Sequence, residues 1–304
     1  MSEGYNNEKP ILLELKRTEK SGPYSSRFFD YQIANRYLFR LQDGRTIESG
    51  AYQHFSGAKR KPVALAIDIS TMVGCPMQCK FCASSFLTYI RPLTVEEMVA
   101  QVKRLISEKD NGFEKIVCSF QGIGETSLIP DVIMQASRRV LQLDPRCHIS
   151  IATLGNRLEA FRIWCESEVP IDNLQVSCSG TTNEQIDWLM PGIDDIETLF
   201  SEVKQCTYAK NINKIKINYV LIRGFNDSQA DLTRLITKFG GTSIIIKISA
   251  LNQTFASQHN RLVSVSQEQA QRFSAALIAN GVDSFLHGSF KETNISCGQL
   301  TFIE

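Results

Sequence analysis

The chain predicts an α/β protein folded as an incomplete (β/α)6-type, TIM-like barrel with a short N-terminal β-hairpin extension. Three observations carry this. From residue 63 onward, strand-like and helix-like patterns alternate, the arrangement that builds a parallel sheet. No Gly-x-Gly-x-x-Gly follows any of the strands, which leaves a doubly wound open sheet as the second choice. Ahead of the repeats, Asp43-Gly44 joins two strand-like runs, a strong hairpin signal.

Each element has its own reason. Residues 1–33 read as polar and irregular, apart from Ile11-Leu12-Leu13. The hairpin follows over 36–53, with strands at 37–41 and 46–48. Residues 1–62 are therefore taken as the extension, and 63–304 as the partial barrel with a C-terminal cysteine-bearing segment. Apolar and β-branched runs predict strands at 64–70, 115–120, 148–153, 173–179, 214–222, 243–249 and 282–287. Apolar residues at helical spacing predict helices at 94–109, 130–143, 156–166, 196–209, 228–239 and 266–280. Thr94 followed three residues later by Glu97 is a capping box. In such barrels the chemistry gathers at the C-terminal ends of the strands.

Composition sets the bounds. The 304 residues suit one barrel-sized domain or two smaller ones, and a hydrophobic content of 43% supports a large core. No apolar run approaches the ~18 residues that span a bilayer, and the N-terminus lacks the apolar core of a signal peptide. Nine cysteines without such a signal point to a reducing, cytoplasmic setting where thiols serve metals or chemistry. The net charge of +1 argues neither for nor against a polyanionic partner. A local basic excess, Lys16, Arg17, Lys20, Arg27, Arg36, Arg40 and Lys59-Arg60-Lys61, reads as a solvated surface or as RNA contact.

After the first barrel strand comes Gly74-Cys75-Pro76-Met77-Gln78-Cys79-Lys80-Phe81-Cys82. The C-x3-C-x2-C spacing supplies three thiolates on one tight loop and no fourth. Soft thiolates suit the irons of a [4Fe–4S] cubane, and three of them leave one iron open for a ligand. A structural zinc would want a fourth ligand nearby, and no His or Cys lies between Cys82 and Cys118. This loop resembles the signature of the radical S-adenosylmethionine (radical SAM) enzymes. The resemblance implies Cys75, Cys79 and Cys82 as cluster ligands and S-adenosylmethionine on the open iron. An electron from the cluster would then cleave the sulfonium to give a deoxyadenosyl radical.

Other loops at strand ends carry candidate cofactor contacts. Gln121-Gly122-Ile123-Gly124-Glu125-Thr126 follows the second strand; its glycines permit close approach and Glu125 offers a carboxylate for an ammonium group. It is similar to the radical SAM motif that holds the cofactor's amino group, which implicates Gly124 and Glu125. Ser177 and Ser179 share one face of the fourth strand, from which they can bond the ribose or carboxylate. Asn252, after the sixth strand, can meet the adenine edge. Cys297-Gly298 lies beyond the last strand, where it can swing into the barrel mouth.

From about Tyr37 to Leu300 the chain resembles the RlmN/Cfr type of radical SAM methyltransferases, which methylate an adenine of ribosomal or transfer RNA. The pieces that carry this, in order, include the Asp43-Gly44 hairpin, Gly74-Cys75 through Cys82, Arg91, Gly122-Ile123-Gly124-Glu125, Ser177, Met190-Pro191, Gly224-Phe225-Asn226-Asp227-Ser228, Asn252 and Cys297-Gly298-Gln299-Leu300. The resemblance implies that Cys297 takes up a methyl group and delivers it, after hydrogen abstraction, to an amidine carbon of the base. It also implies an RNA partner, a flavodoxin- or ferredoxin-type electron donor, and a chain acting as a monomer away from membranes. The chain departs from the pattern in several places. Asp68 stands seven residues before Cys75, where the family has the cysteine that resolves the adduct. A carboxylate can accept a proton but cannot form a disulfide, so Asp68 reads as a catalytic base or as a buried ion-pair partner. Ser179 replaces a histidine, Leu154 a serine, and Ser289-Phe290-Lys291-Glu292 an Arg-Gly-Asp run, and the family's N-terminal helical domain is largely missing. Either another thiol such as Cys118 or Cys178 resolves the adduct, or the substrate or outcome has changed. A non-catalytic cluster- and cofactor-binding sensor is the third reading.

Overall fold

The computed structural model describes residues 12–23, 30–110 and 112–287. Four strands open the chain as an antiparallel meander: β1 (Leu12–Pro23), β2 (Tyr31–Leu41), β3 (Thr46–Ser56) and β4 (Lys61–Asp68). A two-stranded ribbon, β5 (Met72–Val73) with β6 (Arg91–Pro92), encloses the cysteine loop. Then come α1 (Val95–Lys109), β7 (Lys115–Phe120), α2 (Pro130–Leu141), β8 (Cys147–Thr153), α3 (Glu159–Glu166) and β9 (Ile171–Ser177). The chain continues through α4 (Asn183–Leu189), α5 (Ile196–Gln205), β10 (Ile215–Leu221), α6 (Gln229–Phe239), β11 (Ile245–Ala250), α7 (Phe255–His259), α8 (Gln267–Ala279) and β12 (Ser284–His287).

One ten-stranded sheet runs β1-β2-β3-β4-β7-β8-β9-β10-β11-β12, and every pairing from β4 to β12 is parallel. Spatial order follows chain order throughout. A doubly wound sheet reverses direction at a switch point; this one never does, so it winds one way as a barrel does. Among the described residues no pairing returns β12 to the meander. The sheet is continuous across residues 62 and 63, because β3 hydrogen-bonds β4 along its length.

Strand parity divides the sheet into two faces. Ile67, Ile116, Cys118, Phe120, Ile149, Ile151, Leu174, Val176, Ile217, Tyr219, Ile246 and Ile248 are buried in one core with the helices, including Trp164, Phe161 and Phe239. The alternating positions are mostly polar, Asp68, Ser119, Ser150, Gln175, Ser177, Lys216, Asn218, Lys247 and Ser249, with Ala66, Val117 and Ala152 among them. In parallel neighbours, residues in register share a face, as do Asp68 and Ser119. The concave side is thus a polar wall. Burial holds Lys216 and Lys247 down to about 8.

The strands and helices expected from residue 63 onward stand within a few residues of their predicted bounds, and the Thr94–Glu97 capping box is formed. The hairpin strands are longer than expected, β2 starting at Tyr31 and β3 ending at Ser56. Residues 12–23 are a correction, since they form β1 rather than an irregular segment. This edge strand lacks an apolar alternation because charge pairs dock it: Arg17 bonds Glu108, and Arg104 reaches Glu14 at 3.2 Å. Other members of the basic scatter are similarly engaged. Lys61 pairs with Glu114 at 2.6 Å, Arg60 lies 3.9 Å above the Tyr31 ring, and Arg36 pairs with Asp68. The helices α4 and α7 escaped prediction, each being under two full turns of usable apolar pattern.

His54, on β3, is 8% exposed and its Nδ1 lies 3.4 Å from Gln32 Nε2. Burial brings its pKa down to about 4. Below pH 6.5 the unfolded chain takes up the proton first, so stability should fall as pH drops from 6.5 to 4 and level off below. The His54→Gln variant should lose this component, on the order of 3 kcal/mol, in urea unfolding curves compared with the parent across that range. Curves that stay parallel would contradict it.

Candidate iron–sulfur and cofactor site at the strand ends

The cysteine loop leaves the C-terminal end of β4 and is held there by the chain's own backbone. Ile69 N donates to Ser119 O, Gly122 N to Ile69 O, and Thr71 N and Met72 N to Ile123 O, at 2.8–3.1 Å. These bonds lock the loop after β4 to the loop after β7. Gly122 must be glycine for this: a Cβ there would sit 2.6 Å from Ser70 N. Gly74 has φ +72°, and a Cβ on it would lie 2.0 Å from Thr88 O. Sequence reasoning took the glycines of Gly122-Ile123-Gly124 as room for a ligand. In the structure Gly122 makes room for another stretch of main chain.

Elements remote in sequence brace the loop from outside. Lys80 N donates to Leu189 O at 2.9 Å, and the Lys80 ammonium lies 5.4 Å over the Trp188 ring. Met77 packs beneath Gly192, whose Cβ would stand 2.9 Å from Met77 Cε. Thr254 Oγ1 and Asn260 Nδ2, flanking α7, donate to Phe81 O and Lys80 O at 2.9 Å. Arg91 reaches both carboxylate oxygens of Glu97 at 2.8 Å and also bonds Asp43, so the hairpin turn is tied to the N-terminus of α1. The Met190-Pro191 segment and Arg91, singled out in the sequence, are therefore part of the loop's support.

Cys79 is buried, while Cys75 and Cys82 are partly exposed. Burial raises all three thiols, Cys75 to about 12, and repulsion from neighbouring sulfurs adds to this at Cys75 and Cys79. The backbone N–H groups of Met77 and Gly124 oppose it at Cys75, and those of Ser84 and Ser85 at Cys82. No three His, Cys, Asp or Glu side chains among the described residues converge tightly enough for a single metal ion. The donor set suits a group held by several thiolates: three thiols on one loop, with main-chain N–H groups close to Cys75 and Cys82. That is how an iron–sulfur cluster is held and tuned. The residues fit a [4Fe–4S] cluster with one open iron.

The other expected contacts fare differently. Glu125 is 3% exposed and caps the turn that follows it. Its Oε1 accepts from Ser127 N at 2.9 Å, Ser127 Oγ at 2.8 Å and Thr153 Oγ1; its Oε2 accepts from Leu154 N at 2.9 Å. Burial raises its pKa while these donors oppose the shift. Gly124, with φ +124°, turns its N–H toward Cys75. Ser177 lies half-buried on the concave wall, and Asn252 is exposed just beyond β11. Ser179 is fully buried instead of facing the mouth, and its Oγ accepts from Val220 N at 2.9 Å. It is fixed there by Asn226, which donates to Ser179 O and Val220 O at 2.8 and 2.9 Å. Cys297 lies outside the described residues.

Asp68 sits on the concave face in a buried ion pair. Its Oδ2 is 3.3 Å from Arg36 and accepts from Tyr52 Oη at 3.0 Å, and its Oδ1 accepts from Gln121. Both ion-pair side chains are 4% exposed. The register runs Arg36↔Gly50↔Asp68, so the pair reaches over a glycine on the strand between them. A Cβ on Gly50 would stand 3.1 Å from the Arg36 guanidinium. The sequence singles out neither Gly50 nor Tyr52, and it groups neither Arg36 of the basic scatter nor Gln121 of the loop after the second strand with Asp68. The period-two parity and register of the strands are the signal that brings them together. Cys118 and Cys178 are corrected: both are fully buried among the helix-facing core residues, on the opposite face from Asp68. Neither can stand in for a resolving cysteine at the concave wall.

Removing one partner of a buried pair strands the other. Asp68→Ala should destabilise the fold by about 3–5 kcal/mol in urea unfolding, and adding Arg36→Met should restore a large part of that. A double variant no better than Asp68→Ala would refute the pairing. Gly124→Ala places a Cβ 2.3 Å from Thr71 Oγ1 at a strained φ. It should lower the iron bound per chain after anaerobic reconstitution well below the parent; equal iron content would show that the Gly124 N–H is dispensable.

Comparison with known proteins agrees with this geometry. Residues 69–236 match the model of the radical SAM superfamily. A probable dual-specificity RNA methyltransferase RlmN of Thermotoga maritima is 30% identical over 275 residues, covering 87% of this chain and 75% of that protein. Its counterpart in Petrotoga mobilis is 28% identical over 274 residues, covering 87% and 74%. The crystal structure of a radical SAM methyltransferase from Sphaerobacter thermophilus superposes with a TM-score of 0.77 at 24% identity, over 95% of this chain and 81% of that one. Three thiols on the loop after the first barrel strand, the continuous parallel sheet and these likenesses agree: the chain is an enzyme of the radical SAM superfamily and belongs to its RlmN-like methyltransferases.

Proposed function

We propose that this enzyme transfers a carbon unit derived from S-adenosylmethionine, by way of Cys297, to an adenine carbon of ribosomal or transfer RNA. The observation that carries the reading is the loop of Cys75, Cys79 and Cys82 at the open end of the sheet, with the Gly124 N–H directed at Cys75. The bound cluster supplies the electron that splits the sulfonium, and S-adenosylmethionine supplies the methyl group. The chain's own residues do the rest. The three thiolates hold the iron, and burial of Cys79 keeps water from it. Glu125, with its donors already arranged, fixes the loop that carries Gly124 and presents one less crowded oxygen, Oε2, for an ammonium group. Ser177 and Asn252 are the hydroxyl and amide for the ribose and adenine. The names of the relatives support RNA as substrate. A small flavodoxin- or ferredoxin-type protein is the electron donor this chemistry calls for.

A second reading rests on one observation. Where the family resolves its adduct with a cysteine, Asp68 is locked to Arg36, Tyr52 and Gln121. This favours a changed outcome, with the same activation chemistry serving another substrate or ending without disulfide release.

Cys79→Ala should lose both the cluster absorbance and the production of deoxyadenosine under reducing conditions; cleavage retained by that variant would overturn the radical reading. Incubation of the reduced enzyme with total RNA and methyl-labelled S-adenosylmethionine separates the two readings. Label in adenine supports RNA methylation, whereas label confined to Cys297 or to small molecules supports the second. Asp68→Cys is expected to release methylated RNA faster if an adduct forms at all.

A further inference from the structure

Ahead of the strands β9 and β10, at the end opposite the cysteine loop, α3 and α5 end close together. Cys165 is in the last turn of α3, and Cys206 is the residue that follows α5. Their sulfur atoms stand 3.1 Å apart, although the residues are separated by 41 positions in the chain. Two free thiols in ordinary contact sit further apart than this. The surroundings fix the approach. Phe161 and Trp164 pack edge to face on the same helix. Asn211 donates through Nδ2 to Trp164 O and Val169 O at 2.9 and 3.1 Å, holding the segment after Cys206 to the end of α3. Cys165 is partly exposed and Cys206 is 1% exposed. The contact between the two thiols keeps Cys165 below the ordinary thiol range, while contact and burial raise Cys206.

We infer that Cys165 and Cys206 form a redox-responsive dithiol–disulfide pair that staples α3 to the end of α5. Nothing in the cluster and cofactor chemistry uses either residue. The assignment of roles follows from exposure: Cys165 is the attacking thiolate and Cys206 the resolving one. The oxidant is a low-molecular-weight disulfide such as oxidised glutathione. The Cys165 thiolate attacks one of its sulfurs, forming a mixed disulfide and expelling one glutathione thiolate. Cys206 then loses its proton and attacks the Cys165 sulfur, expelling the second glutathione thiolate. The chain loses two electrons and two protons, and two molecules of reduced glutathione carry them away. The closed loop contains β9, α4 and α5, so the bond restrains the unfolded chain over a long segment and should raise stability.

The test uses the full chain with its iron site reconstituted, treated anaerobically with oxidised glutathione and alkylated without reduction. Trypsin with a glutamate-specific protease separates Cys165 from Cys178, because Glu166 and Glu168 lie between them. A peptide pair joining Cys165 to Cys206, lighter by two hydrogens than its parts, is expected as the main form, with a melting temperature several degrees higher that dithiothreitol reverses. Cys206→Ser should stop at glutathione on Cys165. Separate alkylated peptides in the wild-type protein, a link from Cys165 to another cysteine, or a lower melting temperature on oxidation would each overturn the inference.

Discussion

Everything at the open end of the sheet depends on main chain meeting main chain between residues 69–72 and 122–123. Those hydrogen bonds leave no space for a side chain at Gly122, and they carry the cysteine loop at a fixed height above β4. The loop sinks Ile69, Val73 and Met77 into the core, and hydrogen bonds set where its thiols stand. It is held by backbone pairing beneath, by the Leu189 carbonyl of α4, which accepts from Lys80 N, and by the donors that flank α7. Such bonds are directional and survive inside a shielded site, whereas packing alone would let the thiols drift. Gly124 belongs to the same arrangement, since its backbone joins the loop to the sulfur of Cys75.

The sheet separates stability from chemistry by parity. One face of each parallel strand packs Ile, Val, Leu and Phe under the helices and provides the core. The other face is mostly polar, carrying Ser150, Gln175, Asn218, Lys216 and Lys247 beside Val117 and the small Ala66 and Ala152. A closed barrel fills its interior with branched apolar residues. An open one leaves a concave polar wall where a substrate can be met. The buried pair of Arg36 and Asp68 lies on this wall at the end nearest the cysteine loop. Arg36 comes from the meander, so the N-terminal strands complete the wall as well as covering the sheet edge. Gly50 makes that possible by leaving the strand between them without a side chain.

Some features could be read directly because they are local. The C-x3-C-x2-C spacing, the Asp43-Gly44 turn and the Thr94–Glu97 capping box each involve residues within a few positions of one another. The alternation of strand and helix gave the winding of the sheet for the same reason, repeated along the chain. Ser179 and the thiols of Cys118 and Cys178 could not be placed this way. Period two says that neighbours differ in face, yet it does not say which face looks inward or where a strand ends and its serine turns into the core.

Taken alone, the sequence determined the fold class, the three-thiolate loop and its family, since short spacings and the period of apolar residues already encode them. Tertiary structure alone decided that 12–23 is a strand, that Asp68 faces Arg36, that Gly122 serves the backbone, and that Cys165 meets Cys206. Each of these depends on register between strands or on the meeting of helix ends far apart in the chain. Charge pairing, close backbone approach and thiol contact act over a few ångströms, and only the folded chain brings such partners within that range.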